Sequence, residues 1–185
     1  MDGSPGILFV HEGGDKDKIL MFMEGGGWCG ELTLDKTLES CYQRSKTLLG
    51  SSKYWPEEFT EQMAQGYLSM DPKINPFATW TKFIFGYCDG SQHQGYNSQP
   101  IKYKDTQLYF RGSAITRSHF NWINSVYALK NASQIILTGG SAGGAGVHVW
   151  NNYLKAYVNN PNSVYTIDDS GIFMNQNTVH GVKKY

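Results

Sequence analysis

The sequence predicts an α/β fold in which helices cover both faces of a mostly parallel sheet. Short apolar runs typical of strands alternate along the chain with longer segments of helical periodicity. Such alternation favours parallel strands, because each connecting helix then packs on one face of the sheet. At 185 residues, the chain has the length of one domain.

Each predicted element has its own sequence signal. Strands are expected where apolar runs end in glycine-rich or polar turns, and helices where apolar residues recur every three to four positions. The predicted strands are part of Gly3–Val10, Ile19–Met23, Lys82–Tyr87, Gln134–Thr138 and Val164–Ile167. The predicted helices are parts of Glu31–Ser52, most of Leu108–Asn131, and Ala142–Val158. In the second helix the candidates for the buried face are Ile115, Ile123, Val126 and Tyr127. In the third, one face is marked by Ala145, Val149, Tyr153 and Tyr157.

Composition narrows the function classes. The 16 basic and 16 acidic residues leave a formal net charge of zero, which argues against nucleic acid as the partner. No apolar run approaches the roughly 20 residues that span a bilayer, and the first residues lack the basic and apolar regions of a secretory signal. The three cysteines, Cys29, Cys41 and Cys88, match no zinc-binding spacing.

The segment Gly139–Gly143 fits the pattern G-x-S-x-G between a predicted strand and a predicted helix. This context is typical of the nucleophile elbow of α/β-hydrolases, in which a strained turn exposes a serine hydroxyl. We therefore predict Ser141 as a catalytic nucleophile, with a glycine-rich turn that performs no chemistry as the alternative. A phosphate-binding loop is disfavoured, because the segment lacks both the G-K-[ST] ending of a Walker A motif and the third glycine of G-x-G-x-x-G.

A second glycine-rich turn, Glu24–Cys29 with the sequence EGGGWC, follows the predicted strand Ile19–Met23. In α/β-hydrolases such a turn after an early strand supplies backbone N–H groups to the oxyanion hole. We expect the oxyanion donors to be the amides of Gly26, Gly27 and Ala142, and this chemistry requires neither a metal nor a cofactor. An ordinary glycine-rich turn between a strand and a helix is the alternative.

Seven segments carry a family resemblance. In chain order they are Asp2–Gly6 (DGSPG), Glu24–Cys29 (EGGGWC), Cys41–Ser52 with its C-x-x-R and GSS, Tyr87–Gly90 (YCDG), Tyr109–Gly112 (YFRG), Gly139–Gly144 (GGSAGG) and Asp169–Phe173 (DSGIF). Together they resemble the pectin acetylesterase family, which also contains the animal carboxylesterase Notum. The resemblance implies an α/β-hydrolase fold and a serine carboxylesterase with a Ser–Asp–His triad.

The same resemblance implies roles for single residues. It makes Ser141 the nucleophile, places Trp28 at the edge of an acyl pocket and implies a disulfide between Cys29 and Cys41, which leaves Cys88 unpaired. It also implies that the glycine and alanine amides predicted above form the oxyanion hole.

The resemblance further implies a substrate and a location. Plant members of the family remove acetyl groups from pectin, so the implied substrate is an acetylated polysaccharide or another acyl ester. The complete enzyme is expected to be a secreted or vacuolar monomer that needs no cofactor. Two alternatives are a Notum-like lipid-ester hydrolase and a non-catalytic glycan- or lipid-binding relative.

The catalytic Asp and His of family members lie in a C-terminal half beyond the segments matched here. Asp168 or Asp169 followed by His180 has the chain order of a triad, but too few strands remain to return His180 to Ser141. We therefore expect residues 1–185 to be a single, partial hydrolase domain, incomplete at its C-terminus and inactive by itself.

Two further histidines lie near the predicted site in the sequence. His148 is expected to pack against, or lie on the surface of, the helix after the elbow. His93 follows the YCDG segment and is expected to be a solvated loop residue, with a substrate contact as the alternative.

Overall fold

A five-stranded sheet organises residues 1–173, the part of the chain that the computed structural model describes. Its strands are Leu8–His11 (β1), Asp15–Met23 (β2), Trp80–Phe85 (β3), Gln134–Gly140 (β6) and Val164–Asp169 (β7), and Ile101–Tyr103 (β4) and Thr106–Leu108 (β5) form a separate hairpin. The order in the large sheet is β1-β3-β2-β6-β7. β1 runs antiparallel to β3, and every other pair in this sheet is parallel.

Three α-helices accompany the strands: Leu34–Arg44 (α1), Gly112–Tyr127 (α2) and Ala142–Lys155 (α3). Thr33 caps α1, because its side chain accepts a hydrogen bond from the Lys36 amide. No helix in residues 1–173 is both long and apolar enough to cross a membrane.

The core lies on both faces of the sheet, as the continuous apolar runs of its strands require. All six residues of β3 are buried. On one face, α2 and α3 contribute Phe120, Ile123, Val147, Trp150 and Leu154 to a cluster with the central strands. On the other face, residues 55–77 cover the sheet with aromatic and aliphatic side chains and one short 3₁₀ helix, Gly66–Leu68. This coverage differs in detail from the prediction, which placed longer helices on both faces.

The predicted second helix was wrong at its start. Leu108 belongs to β5 and is fully buried, and α2 begins only at Gly112. Its buried face is formed by Thr116, Phe120 and Ile123. Val126, predicted to be buried, is 55% exposed, because it lies at the margin of the buried face.

The apolar face predicted for α3 coincides only in part with its buried side. Tyr153 and Tyr157 pack against the core cluster, but Val149 is 50% exposed, and the buried residues include Gly143, Val147 and Trp150. The helix approaches β2 closely at Gly143, where a Cβ would overlap the carbonyl oxygen of Met23. An apolar periodicity that leaves glycines out therefore misses part of the buried side.

Candidate active site

The sheet topology brings the two glycine-rich turns together. β2 and β6 are adjacent and parallel, with Met23 paired to Gly139, so the turns that follow them leave from the same edge of the sheet. β7 lies on the other side of β6, with Asp169 opposite Gly140. In open α/β sheets this carboxyl edge of the strands is where ligands bind.

The nucleophile elbow, Gly139–Gly143, joins β6 to α3. Ser141 has φ 54° and ψ −118°, a conformation that costs a non-glycine residue energy and persists only where the surroundings enforce it. Its amide donates a hydrogen bond of 2.7 Å to the Asp169 carbonyl oxygen, and Ala142 begins the helix directly behind it. The side chain of Ser141 is exposed at the sheet edge.

The turn after β2, Glu24–Cys29, is called the oxyanion loop below, and it contacts the elbow directly. A Cβ on Gly25 would overlap the carbonyl oxygen of Gly140 and lie 3.2 Å from the Cβ of Ser141. Only glycine permits this separation between the two backbones. The loop therefore runs past the serine at backbone contact distance.

Two amides of the oxyanion loop are unpaired. Among residues 1–173, the N–H groups of Gly26 and Gly27 donate to no protein acceptor. Both residues have positive φ, 130° and 64°, a region that favours glycine. Ala142 is the first residue of α3, where amides lack a partner within the helix and the helix dipole favours negative charge. That these three amides form an oxyanion hole stays a prediction.

A disulfide ties the oxyanion loop to α1. Cys29, the last residue of the loop, is bonded to Cys41 on the helix. Cys88 carries a free thiol that is buried, and burial raises the pKa of this thiol to about 11. Trp28 is 37% exposed, and its ring meets the ring of Phe173 edge-on with centroids 5.0 Å apart.

A cavity of about 510 Å³ lies beside the oxyanion loop. Glu24 contributes its carboxyl, and burial raises the pKa of this group. The remaining walls combine apolar side chains with aromatic and amide groups; they include Phe22, Leu48, Tyr54, Trp55, Gln62, Met63 and Gln65. The cavity can therefore accept a ligand that has both apolar and hydrogen-bonding surface.

The described residues bring no base to Ser141. His148 lies about two turns along α3, roughly 10 Å along the helix axis from the serine. Its Nε2 is hydrogen-bonded to the Asp168 carboxylate at 2.7 Å. Asp168 also accepts a hydrogen bond from the Gly171 amide, so it shapes the turn after β7. His180, the other candidate considered above, lies outside the described residues.

The expectation that His93 is a solvated loop residue was wrong. Its side chain is 3% exposed, and its ring stacks on Tyr87 with centroids 4.8 Å apart. Its Nε2 lies 2.8 Å from the carbonyl oxygen of Glu24, at the start of the oxyanion loop. Burial of the ring lowers the pKa of His93, which favours the neutral imidazole. Its polar neighbours in the sequence gave no sign of this packing.

A strained, exposed serine between a parallel strand and a helix, beside a glycine loop with unpaired amides, is the arrangement of the α/β-hydrolase class. The fold is similar to the solved structure of the Wnt deacylase Notum from Drosophila, with a TM-score of 0.77 and 24% sequence identity. That similarity covers 95% of this chain and 50% of the Notum chain. It confirms the predicted α/β-hydrolase-like fold.

Sequence comparison then identifies the family. The sequence profile of the pectinacetylesterase family matches residues 1–185, so the chain belongs to that family. The chain is 37% identical over 185 residues to Pectin acetylesterase 5 of Arabidopsis thaliana, an alignment that covers 98% of this chain and 40% of the relative. It is 31% identical over 149 residues to the human palmitoleoyl-protein carboxylesterase NOTUM, covering 79% of this chain and 27% of that relative. The predicted family is confirmed, and its named members are esterases.

Proposed function

We propose that this chain is part of a serine carboxylesterase that hydrolyses acetyl esters of a polysaccharide such as pectin. The observation that carries the proposal is the close approach of Gly25 to the exposed Ser141, next to the unpaired amides of Gly26 and Gly27. The chain spans about two-fifths of the length of Pectin acetylesterase 5. The proposed activity is therefore that of a longer protein, in which residues 1–185 form one part of a single hydrolase domain.

The proposed mechanism follows from the geometry of the two turns. Ser141 Oγ attacks the carbonyl carbon of the ester while a histidine from outside the described residues takes the hydroxyl proton. The carbonyl oxygen becomes an oxyanion and accepts hydrogen bonds from the amides of Gly26, Gly27 and Ala142. Collapse of this intermediate expels the sugar alcohol, which receives the proton, and leaves an acetyl-enzyme. Water then releases acetate by the same steps.

The acyl group is proposed to lie beside Trp28. This side chain belongs to the oxyanion loop and is 37% exposed. The loop is too close to the elbow at Gly25 to leave room for a large group between them. The family names of relatives at 37% and 34% identity, two pectin acetylesterases of Arabidopsis thaliana, support the acetyl ester.

A Notum-like lipid esterase is the second candidate. The apolar walls of the cavity beside the oxyanion loop, among them Phe22, Leu48 and Met63, would accommodate an acyl chain. The two candidates predict opposite preferences for chain length. The ratio of kcat/KM for p-nitrophenyl acetate to that for p-nitrophenyl octanoate distinguishes them, with a ratio well above one supporting the deacetylase.

Substitution of the nucleophile tests the proposal itself. In the full-length protein, Ser141→Ala should reduce hydrolysis of p-nitrophenyl acetate by several orders of magnitude and abolish labelling by a fluorophosphonate probe, because no hydroxyl remains to attack. Ser118→Ala, which removes an exposed serine on α2, should retain both signals. Turnover by the Ser141→Ala protein would contradict the assignment.

A further inference from the structure

We propose that Arg44, Tyr87 and His93 are positioning residues that hold the oxyanion loop in the shape required for catalysis. This inference rests on the proposed function, because it assigns a catalytic task to the loop. Arg44 is the last residue of α1, and Tyr87 and His93 lie in the segment that follows β3. They include the arginine of C-x-x-R and the tyrosine of YCDG, two motifs that the proposed mechanism leaves without a role.

Each of the three side chains donates a hydrogen bond to a different carbonyl oxygen of the loop. Arg44 Nη1 donates to Gly26 at 2.8 Å, and Tyr87 Oη donates to Gly27 at 2.7 Å. The third contact is the 2.8 Å hydrogen bond between His93 Nε2 and the Glu24 carbonyl described above. The side of the loop that carries these carbonyls is therefore saturated with donors, whereas the amides of Gly26 and Gly27 remain unpaired.

Planarity of the peptide bond converts these contacts into control of the amides. In a trans peptide the C=O of one residue and the N–H of the next point in opposite directions from one rigid plane. A bond from Arg44 to the Gly26 oxygen thus turns the N–H of Gly27 away from Arg44. A hydrogen bond from Tyr87 to the Gly27 oxygen fixes the next peptide plane, between Gly27 and Trp28. Gly27, which has positive φ and no side chain to restrain it, is held on both flanks.

The three side chains also support one another. The Arg44 guanidinium lies 4.8 Å from the centroid of the Tyr87 ring, and that ring stacks on His93. Tyr87 is fully buried, and its oxygen accepts a hydrogen bond of 2.9 Å from the Gln92 amide while it donates to the loop. Buried networks of this kind restrict the geometry of their members. The oxyanion loop is therefore bound by three planar groups that contact one another in sequence: the Arg44 guanidinium, the Tyr87 ring and the His93 ring.

The remaining residues of the YCDG segment build the turn that brings His93 under the loop. The Asp89 carboxylate accepts hydrogen bonds from the amides of Ser91 and His93 and from the Ser91 hydroxyl. His93 takes a positive φ of 61°, and its carbonyl oxygen accepts a hydrogen bond of 3.0 Å from the Trp150 indole on α3. The support is thereby anchored to the same helix that begins at the nucleophile.

Kinetics of the full-length enzyme test the proposal. Tyr87→Phe removes only the hydroxyl, and we expect kcat for p-nitrophenyl acetate to fall about 10-fold to 100-fold, less than the loss of an oxyanion donor itself. KM should stay within about twofold, because the hydroxyl acts on the transition-state oxyanion through the loop. Arg44→Gln should have a similar effect, and Arg44→Lys, which keeps the cation and a donor, should restore part of kcat.

Tyr157→Phe is the matched control. This substitution also removes a hydrogen-bonded tyrosine hydroxyl. The hydroxyl of Tyr157 donates to Asn121 Oδ1 at 2.6 Å and does not contact the oxyanion loop. We expect it to lower thermal stability with kcat unchanged. Amide hydrogen exchange of the full-length protein provides a second readout that needs no turnover. The amides of Glu24 and Cys29, at the two ends of the loop, donate to the carbonyl oxygens of Phe85 and Gly90 at 3.1 Å, and they should exchange faster in Tyr87→Phe than in Tyr157→Phe.

Equal exchange of the Glu24 and Cys29 amides in the two variants, or an unchanged kcat in Tyr87→Phe, would overturn the positioning role and leave Tyr87 a structural residue. Failure of the proposed function has a different signature. An active Ser141→Ala protein would contradict the nucleophile assignment, and the exchange data would still decide whether the three side chains hold the loop.

Discussion

The nucleophile elbow and the oxyanion loop meet at Ser141, but different forces hold them in place. The elbow is fixed by backbone contacts. The Ser141 amide donates a hydrogen bond to the Asp169 carbonyl oxygen on β7, and Gly143 packs against Met23 on β2. The oxyanion loop is held by a disulfide and by three side-chain donors from two distant segments. The elbow is thus a local construction, and the loop depends on residues far from it in the chain.

This difference predicts opposite sensitivities. A turn fixed by backbone packing should be destabilised by a methyl group wherever the new Cβ would meet rigid backbone, as at Gly143. A loop held by side chains should instead be loosened by the loss of a distant partner. The following predictions test this contrast, from the largest expected effect to the smallest.

Adding one methyl group to the elbow should have the largest effect. In Gly143→Ala the new Cβ would overlap the Met23 carbonyl oxygen, and both groups belong to rigid backbone, so we expect a loss of about 3 kcal/mol or more in the free energy of unfolding. Gly140→Ala is the matched control, since no atom lies within 4 Å of its Cβ position. Chemical denaturation of both variants provides the comparison, and equal stability would show that the elbow adapts.

Breaking the disulfide should loosen the oxyanion loop. Cys29 and Cys41 are separated by 12 positions, and closing a loop of this size stabilises a fold by about 3 kcal/mol. Cys29→Ser and Cys41→Ser should each lose nearly as much stability as the double variant, because either change removes the same bond. Additive losses, measured by denaturant titration, would instead indicate that each cysteine contributes mainly through packing.

Acidification should weaken the support of the oxyanion loop by a smaller amount. Burial lowers the pKa of His93 below its ordinary value of 6.5, so between these two values the unfolded chain binds a proton that the folded chain does not. The free energy of unfolding should therefore fall as the pH drops below about 6.5, with a slope of at most ~1.4 kcal/mol per pH unit.

Comparison with His93→Asn isolates this effect. His119 has its pKa lowered to about 4 by burial and by the nearby His93, so it adds a slope of the same sign in the same range. The wild-type protein should lose more stability than His93→Asn between pH 7 and pH 5. Parallel curves would mean that His93 stays neutral in both states or is not buried in solution.

The same contrast explains what the sequence could predict. Glycines, a serine and an apolar run stand next to one another at the elbow, so a short pattern identifies the turn, its strand and its helix. The turn Glu24–Cys29 was found in the same way. Helix boundaries and faces were predicted less well. Leu108 was assigned to α2, whereas it belongs to β5 and pairs with Ile101 of β4. The sequence signals of this short hairpin are weak.

The support of the oxyanion loop could not be predicted, because it depends on packing between segments far apart in the chain. Arg44, Tyr87 and His93 were visible only as members of motifs or as a polar loop residue, and nothing in their spacing indicated that they converge. The C-x-x-R and YCDG motifs were the available signals. When the polar side chains of a motif have no role in the reaction, they are candidates for positioning the residues that do.

The strand order also determines when the two turns can meet during synthesis. β2 lies in the middle of the sheet, yet both of its neighbours, β3 and β6, come from later in the chain. Because a ribosome releases the N-terminal residues first, β2 has no partner strand until β3 has emerged, and Ser141 lacks its hydrogen-bond acceptor until Asp169 follows. In the nascent chain, the glycine loop is therefore synthesised long before Ser141 and its hydrogen-bond acceptor are present beside it.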